Sequence, residues 1–367
     1  VMKRLSFPIP PARILVIVTR RVGDVLLTTP LIRSLKQAWP SARVDVLVFR
    51  GTEGILAGNP DIGGIISVPA KQSLREAWRL MAGIRRRYDL ALSTSPSDRP
   101  TLYAWLAGKR RVGVMADGAK HAWKRALLDA TVPFENLAAH TVVQNLWLAD
   151  ALGVPRRFEM PLSWSPEDEA AVEALFPAFP TAKYAVFHVY PKFAYKMWAP
   201  DQWRALAGEL HCRGLRIVMS GSADPRELDH VAGLAATFSP PPLNLSGKLD
   251  FRRLALLISR ATLYVGPDTV TTHLAAAVGA PTVALFGPSN PVKWGPWPRD
   301  HKAEISPYAL RGTQIVGNVA LVQGAGACVP CLQEGCARHV LSESVCLQML
   351  PAAAVIEAAG KLLNQGN

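Results

Sequence analysis

Residues 263–287, LYVGPDTVTTHLAAAVGAPTVALFG, restrict the fold more than any other stretch of the chain. Leu263 to Val265 are strand formers, Gly266 and Pro267 stop the strand, and Leu274 to Val278 is an apolar run of helical character. Between them Asp268, Thr269, Thr271 and Thr272 can supply helix-cap oxygens. A second buried strand closes the unit. A helix N-terminus presents unpaired N–H groups and a partial positive charge, so the turn suits a diphosphate. His273 falls near the same end as Asp268 and Thr269. The pattern fits equally a capped helix that binds nothing, so the rest of the chain has to decide.

At 367 residues the chain exceeds one ordinary α/β domain and suits two. Strand patterns at Arg13 to Thr19, Val44 to Phe49, Gly64 to Val68 and Leu90 to Thr94 alternate with helical ones, which calls for a parallel sheet covered on both faces. The first helix is expected from Asp24 to about Ala38, with a kink or a late start because Pro30 lacks a backbone donor. His140 to Gly153 reads as the closing helix of this half, and 155–166, rich in proline and basic residues, as a linker. The architecture then restarts with a strand at Tyr184 to Val189, a helix at Pro200 to Cys212, a strand at Leu215 to Ser220 and helices at Asp224 to Ala236 and Phe251 to Arg260. Two Rossmann-like domains facing each other across a cleft are expected, over 1–165 and 166–350. Residues 351–367 form a last helical pattern placed to pack back on the first domain.

Apolar residues make up 49% of the chain, which excludes global disorder. No apolar run reaches the roughly 18 residues that span a bilayer, and Ile14 to Val18 is too short for a signal-peptide core. A cytoplasmic protein is therefore expected. Charge is lopsided: residues 1–150 hold 22 Lys and Arg against 11 Asp and Glu, and the remainder holds 19 against 17. A basic first half implies an acidic partner, such as a phosphorylated glycolipid, an anionic membrane surface or a nucleic acid, or else serves solubility alone. Residues 73–87 interleave Leu74, Trp78, Met81 and Ile84 with Arg75, Arg79, Arg85, Arg86 and Arg87 at helical spacing. That pattern describes a membrane-surface helix or a packed helix with a solvated face.

Gly23-Asp24 lies between the first strand and the first helix, at the carboxyl end where open α/β sheets place their ligands. Asp24 is either a reactive carboxylate or an N-cap. The turn Arg20-Arg21-Val22-Gly23 is not G-x-G-x-x-G, so a dinucleotide site is poorly supported there. In the second half the loop after Val189 brings Lys192 and Lys196 to the carboxyl end of a strand, where a lysine can neutralise phosphate. Asp224, after another strand, can accept bonds from ribose hydroxyls or cap the next helix. Cys328, Cys331, Cys336 and Cys346, spaced C-x2-C-x4-C-x9-C, could hold a structural zinc or stay as reduced thiols. No H-E-x-x-H and no D-x-D triplet occurs.

Several segments together resemble the ADP-heptose:lipopolysaccharide heptosyltransferases of glycosyltransferase family 9. They are RRVGDVLLTTPLIRSLKQAWPSARVDVLV, KMWAPDQW, LSGKLDFRRLALLISRATLYVGPDT and HLAAAVGAPTVALFGPSNPVKWGPWP. GDVLLTTP and the following DVLV look most like the branch that adds the third, side-branch heptose of the inner core. The resemblance implies a GT-B fold, with the acceptor held by the first domain and ADP-heptose by the second. It puts the catalytic aspartate on Asp24, a phosphate-binding lysine on Lys196, and a donor-binding D-T-x-x-x-H pattern on Asp268, Thr269 and His273. Members commonly have glycine after the D-T pair, where Val270 stands here.

In the chemistry this implies, Asp24 takes the proton of an acceptor hydroxyl. Lys196 and the amides of Thr269, Val270 and Thr271 then stabilise the departing diphosphate, in place of a metal or any other cofactor. Asp268, His273 and Asp224 are the candidates for the donor sugar or nucleotide, and Arg20, Arg21 and Gly23 for the acceptor. Arg85, Arg86 and Arg87 are the candidates for the anionic surface of the inner membrane, where the protein is expected as a peripheral one. The alternatives are a GT-B transferase using another nucleotide sugar, and a non-enzymatic protein binding membranes or nucleic acid through its basic half. The recurring strand–turn–helix units argue against the last and against a nucleic-acid partner.

Overall fold

The computed structural model describes residues 4–118, 121–179 and 181–365, and the chain divides into two compact units, Val1–Ser163 and Trp164–Asn367. Among the described residues the first unit has six strands: β1 (Arg13–Val18), β2 (Arg43–Phe49), β3 (Gly64–Val68), β4 (Tyr88–Ser93), β5 (Gly108–Met115) and β6 (Ala130–Pro133). All pair in parallel, in the order β3-β2-β1-β4-β5-β6. The run Ile14–Val18 is buried throughout, as a strand covered by helices on both faces must be.

The second unit repeats the plan. Its strands are β7 (Tyr184–His188), β8 (Arg216–Ser220), β9 (Leu243–Asn244), β10 (Leu263–Pro267), β11 (Thr282–Phe286), β12 (Gln314–Val316) and β13 (Val319–Gln323). They lie in the order β12-β13-β11-β10-β7-β8-β9, and only β12, on the edge, runs antiparallel. Leaving β12 aside, each sheet places its first and fourth strands side by side at the centre. There the connections diverge to opposite edges and open a crevice at the strands' carboxyl ends. That point lies between β1 and β4 in the first unit and between β7 and β10 in the second.

The helices differ in detail from expectation. Of the two outcomes expected at Pro30, the late start is the one observed. The chain forms Val22–Leu26, breaks, and starts Thr29–Ala38 with Pro30 in its first turn, where a missing donor costs nothing. The basic helix begins at a Ser73–Glu76 capping box but ends at Ile84. Arg85, Arg86 and Arg87 therefore follow the helix, with Arg86 in the left-handed region at φ 47°. The last helix, Ala352–Gln365, belongs to the second unit. Its apolar stripe, Ala352, Val355, Ala359 and Leu362, enters the same core as Phe187, Leu206, Leu210, Leu285 and Val322. Residues 366–367 of that segment lie outside the described residues.

Candidate active site

The turn after β10 is shaped by close packing. A Cβ at Gly266 would stand 2.4 Å from the Tyr264 hydroxyl and 3.0 Å from Thr272 Oγ1, so any side chain there must push these neighbours aside. The Thr272 hydroxyl donates to the Pro267 carbonyl, and Tyr264 Oη and Thr269 Oγ1 approach Thr272 Oγ1 at 3.0 and 3.4 Å. Thr272 thereby ties the helix Val270–Val278 back to the strand. Thr269 is its N-cap residue, extended at φ −140°, and makes no side-chain cap bond. Contrary to expectation, the threonine and aspartate oxygens here are engaged with each other and with Lys196, and the amides of the first turn have no intrahelical acceptor. Thr269 and Val270, half-buried, are the accessible part of this end, whereas Thr271 and His273 are buried. Gly279, left-handed at φ 84°, stops the helix.

Lys196 reaches this turn from the loop after β7. Its Nζ donates to Asp268 Oδ2 at 2.5 Å and to the Asp268 carbonyl at 3.1 Å. The two residues follow β7 and β10, the adjacent central strands, so they flank the second sheet's crevice. Burial pushes the Asp268 carboxyl up, but the Lys196 ammonium, the nearby His273 and hydrogen bonds from Lys196 and Ser289 hold it below its ordinary value. It is a buried carboxylate kept ionised by its partner. Lys192 is exposed, with its ammonium over the Phe193 ring; Lys196 is the lysine built into the site.

Asp224 is a helix cap. Its Oδ1 accepts from the Arg226 N–H at 2.9 Å, at the start of the helix Pro225–Ala235. The carboxylate positioned at the carboxyl ends of β7 and β8 is Glu227, which the sequence reading missed. Glu227 is 7% exposed, its Oε2 accepts from the Ser222 hydroxyl, and its Oε1 has no hydrogen-bond partner among the described residues. A Cβ at Gly221 would stand 3.0 Å from that oxygen. Beside it His188 lies 3.3 Å from the Ser220 hydroxyl, and burial holds its imidazole below the ordinary value against the opposing charge of Glu227. The signal was available: a Glu three residues into a helix opened by Asp-Pro turns inward at helical spacing.

In the first unit Asp24 follows β1, at that sheet's own crevice. It lies inside the helix Val22–Leu26 and makes no cap bond; Arg21 is the N-cap residue. Its Oδ1 accepts from Arg20 Nε at 3.1 Å, with the Asp24 side chain 14% exposed and that of Arg20 41% exposed. Gly23 is half-buried and Arg21 exposed. Asp24, Arg20, Arg21 and Gly23 thus form one turn. Arg85, Arg86 and Arg87 are exposed on a different part of the unit.

Cys328, Cys331, Cys336 and Cys346 are unbridged thiols. Among the described residues no three His, Cys, Asp or Glu side chains converge as metal ligands, and no helix is long and apolar enough to cross a membrane.

Solved structures share this architecture. A glycosyl transferase family 9 protein from Veillonella parvula superposes with a TM-score of 0.77 at 20% identity, over 96% of this chain and 97% of that one. The E. coli heptosyltransferase WaaC, solved with ADP-2-deoxy-2-fluoro heptose, gives 0.66 at 21% identity, over 95% and 99%. Two Rossmann-like units of one strand order are the plan of the GT-B fold. The profile of glycosyltransferase family 9 (heptosyltransferase) matches residues 77–310, and the chain belongs to that family. It is 29% identical to lipopolysaccharide heptosyltransferase 3 of E. coli over 289 residues, which cover 75% of this chain and 83% of that enzyme.

Proposed function

We propose that the chain moves heptose from ADP-heptose to the inner core of lipopolysaccharide, with inversion at the anomeric carbon and without a metal ion. The observation that carries this reading is the second unit's crevice, where the Lys196–Asp268 pair stands beside a helix N-terminus with no side-chain cap. A diphosphate placed there meets an ammonium and first-turn amides, which stabilise the charge growing on it as the glycosidic bond breaks. Two E. coli relatives, a lipopolysaccharide heptosyltransferase and an enzyme solved with ADP-2-deoxy-2-fluoro heptose, support this donor and acceptor.

Asp24 serves as the base for the acceptor hydroxyl, oriented by Arg20 on Oδ1. Arg21 and Gly23 line the same turn for the acceptor. Direct displacement by that hydroxyl inverts the anomeric centre. Lys196 with the Thr269, Val270 and Thr271 amides takes the diphosphate; Asp268 holds the lysine, and His273 stands behind it. Glu227 replaces Asp224 as the carboxylate for ribose, since its Oε1 is buried and still open to a donor.

The basic first unit meets the cytoplasmic face of the inner membrane, and the protein is peripheral there. In support, Leu74, Trp78 and Met81, spaced i, i+4 and i+7, are 92%, 70% and 39% exposed beside the exposed Arg75, Arg79 and Arg85 to Arg87. An apolar stripe edged by arginines suits anionic phosphorylated glycolipid.

A second reading, transfer from another nucleotide sugar, rests on Val270, which brings a side chain to a position commonly occupied by glycine in the family. A transfer assay decides. ADP-heptose, UDP-N-acetylhexosamine and a UDP-hexose are offered with purified deep-rough core lipopolysaccharide, and product is read by mass spectrometry. A mass gain of one heptose from ADP-heptose alone is expected; a gain from a UDP-sugar alone overturns the proposed donor.

A further inference from the structure

Residues 324–344 carry neither helix nor strand, although loops beyond about 12–15 residues without secondary structure are uncommon in compact domains. Burial does not hold this one. Of its larger apolar side chains only Val329 is buried, while Leu332, Val340 and Leu341 are exposed. Two residues with a Cβ, Leu332 and Arg338, sit in the left-handed region at φ 61° and 59°, a backbone state that needs outside support. Leu332 directly follows the Cys328–Cys331 pair, and Arg338 lies two residues beyond Cys336. Nothing in the transfer reaction uses these cysteines.

The fold brings the two ends of the loop together. The Cys336 N–H donates to the Glu343 carbonyl at 2.9 Å, and the Val345 N–H donates to Cys336 Sγ at 3.4 Å, which puts the third cysteine against the residue preceding the fourth. An amide donating to sulfur is the contact that steadies a thiolate. Cys346 lies over the end of β11, its sulfur 3.1 Å from where a Cβ of Gly287 would be. Cys331 stands one residue before Leu332, whose N–H is bonded to Pro288, the neighbour of Gly287, so the C-x2-C pair is tethered beside the same end of β11.

We propose that Cys328, Cys331, Cys336 and Cys346 bind one thiophilic metal ion, zinc or iron, in a four-thiolate structural site that fastens residues 324–344 to the end of β11. The C-x2-C pair supplies one side of a tetrahedron, and Cys336 and Cys346 the other. Each ligand gives up its proton on binding, and the ion draws together side chains that do not yet converge, as sites that order only with their metal do. The consequence reaches the donor turn. The Leu332 N–H donates to the Pro288 carbonyl at 2.9 Å, and the next residue, Ser289, bonds the Asp268 carboxylate.

The test is metal content, independent of the transferase reading. Full-length protein without a histidine tag, purified under reducing conditions, is analysed by inductively coupled plasma mass spectrometry. About one zinc or iron per chain is expected, with less than about a tenth remaining in Cys331→Ser and in Cys346→Ser, and full content in Cys212→Ser. Should the serine variants fail to fold, the parent is stripped with a mercurial and chelator and titrated with cobalt(II). A strong visible absorption typical of tetrahedral thiolate cobalt, saturating near one equivalent, supports the site. Metal-free protein with four freely titrating thiols here and no cobalt band overturns it, as does an intact mass showing the four thiols paired in disulfides.

Discussion

The turns that follow the central strands of the two sheets are built differently. In the second unit Lys196 and Asp268 are 17% and 9% exposed, bonded at 2.5 Å, and backed by a glycine at which any side chain would be crowded. In the first unit Asp24 is held by one arginine, itself 41% exposed, within a helix of one turn. The second turn is closely bonded before any ligand arrives, and the first keeps its arginine in reach of water. Such a contrast fits a division of labour. A nucleotide diphosphate has one shape and one charge, which a preorganised site serves best, whereas a bulky acceptor glycan is better met by side chains that can move.

The sharpest way to break this comparison is Lys196→Ala. It strands the Asp268 carboxylate, so the second unit should lose about 3 kcal/mol, seen as a lower unfolding midpoint in urea. Because the folded pKa of Asp268 is depressed, the pair's contribution is present above the ordinary 3.8 and fades as pH falls through the lower folded value. The gap between variant and parent should therefore narrow below about pH 4. A gap that widens in acid would mean the carboxylate is not held ionised.

Asp24→Asn should do the reverse. A single pair whose arginine is 41% exposed contributes at most about 1 kcal/mol to stability, yet removal of a general base should lower turnover about 100-fold. Steady-state transfer kinetics beside a urea curve checks both halves. Normal turnover would reduce Asp24 to a structural residue.

Much of this contrast was legible in the sequence. The apolar runs of β1, β2, β7 and β10 and the turns after them stood out because strands buried on both faces read as nearly unbroken apolar residues. β5 was not read, since GKRRVGVM opens with three basic residues, and four-residue β6 is too short to show a period. Position after strands singled out Asp24, Lys192, Lys196 and Asp268, and the family resemblance chose among their readings. Glu227 was overlooked because Asp224 stood nearer the strand end, and only the fold shows that Asp224 is consumed as a cap. The extent of the basic helix was overestimated, because arginine is a good helix former and nothing in the sequence marks the left-handed turn at Arg86.

Gly266→Ala sharpens the closely bonded side of the comparison. The new methyl meets the Tyr264 hydroxyl and Thr272 Oγ1, and overpacking of this kind costs about 1–3 kcal/mol. Thermal unfolding should show the loss, and adding Tyr264→Phe should restore part of it. Equal midpoints for Gly266→Ala and the parent would show that the turn is looser than it looks.

The smallest effect belongs to the open side. Each of Arg85, Arg86 and Arg87 near an anionic surface is worth on the order of 1 kcal/mol at low salt, fading within a Debye length as salt rises. Replacing all three with Gln should reduce co-sedimentation with phosphatidylglycerol vesicles and leave ADP binding unchanged. Undiminished sedimentation would assign the basic half to solubility.

The central claim is that the nucleotide diphosphate is held by the second unit's turn alone, and calorimetry with ADP tests it most directly. Parent, Asp24→Asn and Lys196→Ala are titrated side by side, at a temperature where each is folded. The account predicts affinity within about twofold of the parent for Asp24→Asn and a loss of roughly tenfold or more for Lys196→Ala, the worth of one charge-assisted bond to phosphate. Unchanged ADP affinity in Lys196→Ala, or a loss confined to Asp24→Asn, would contradict it.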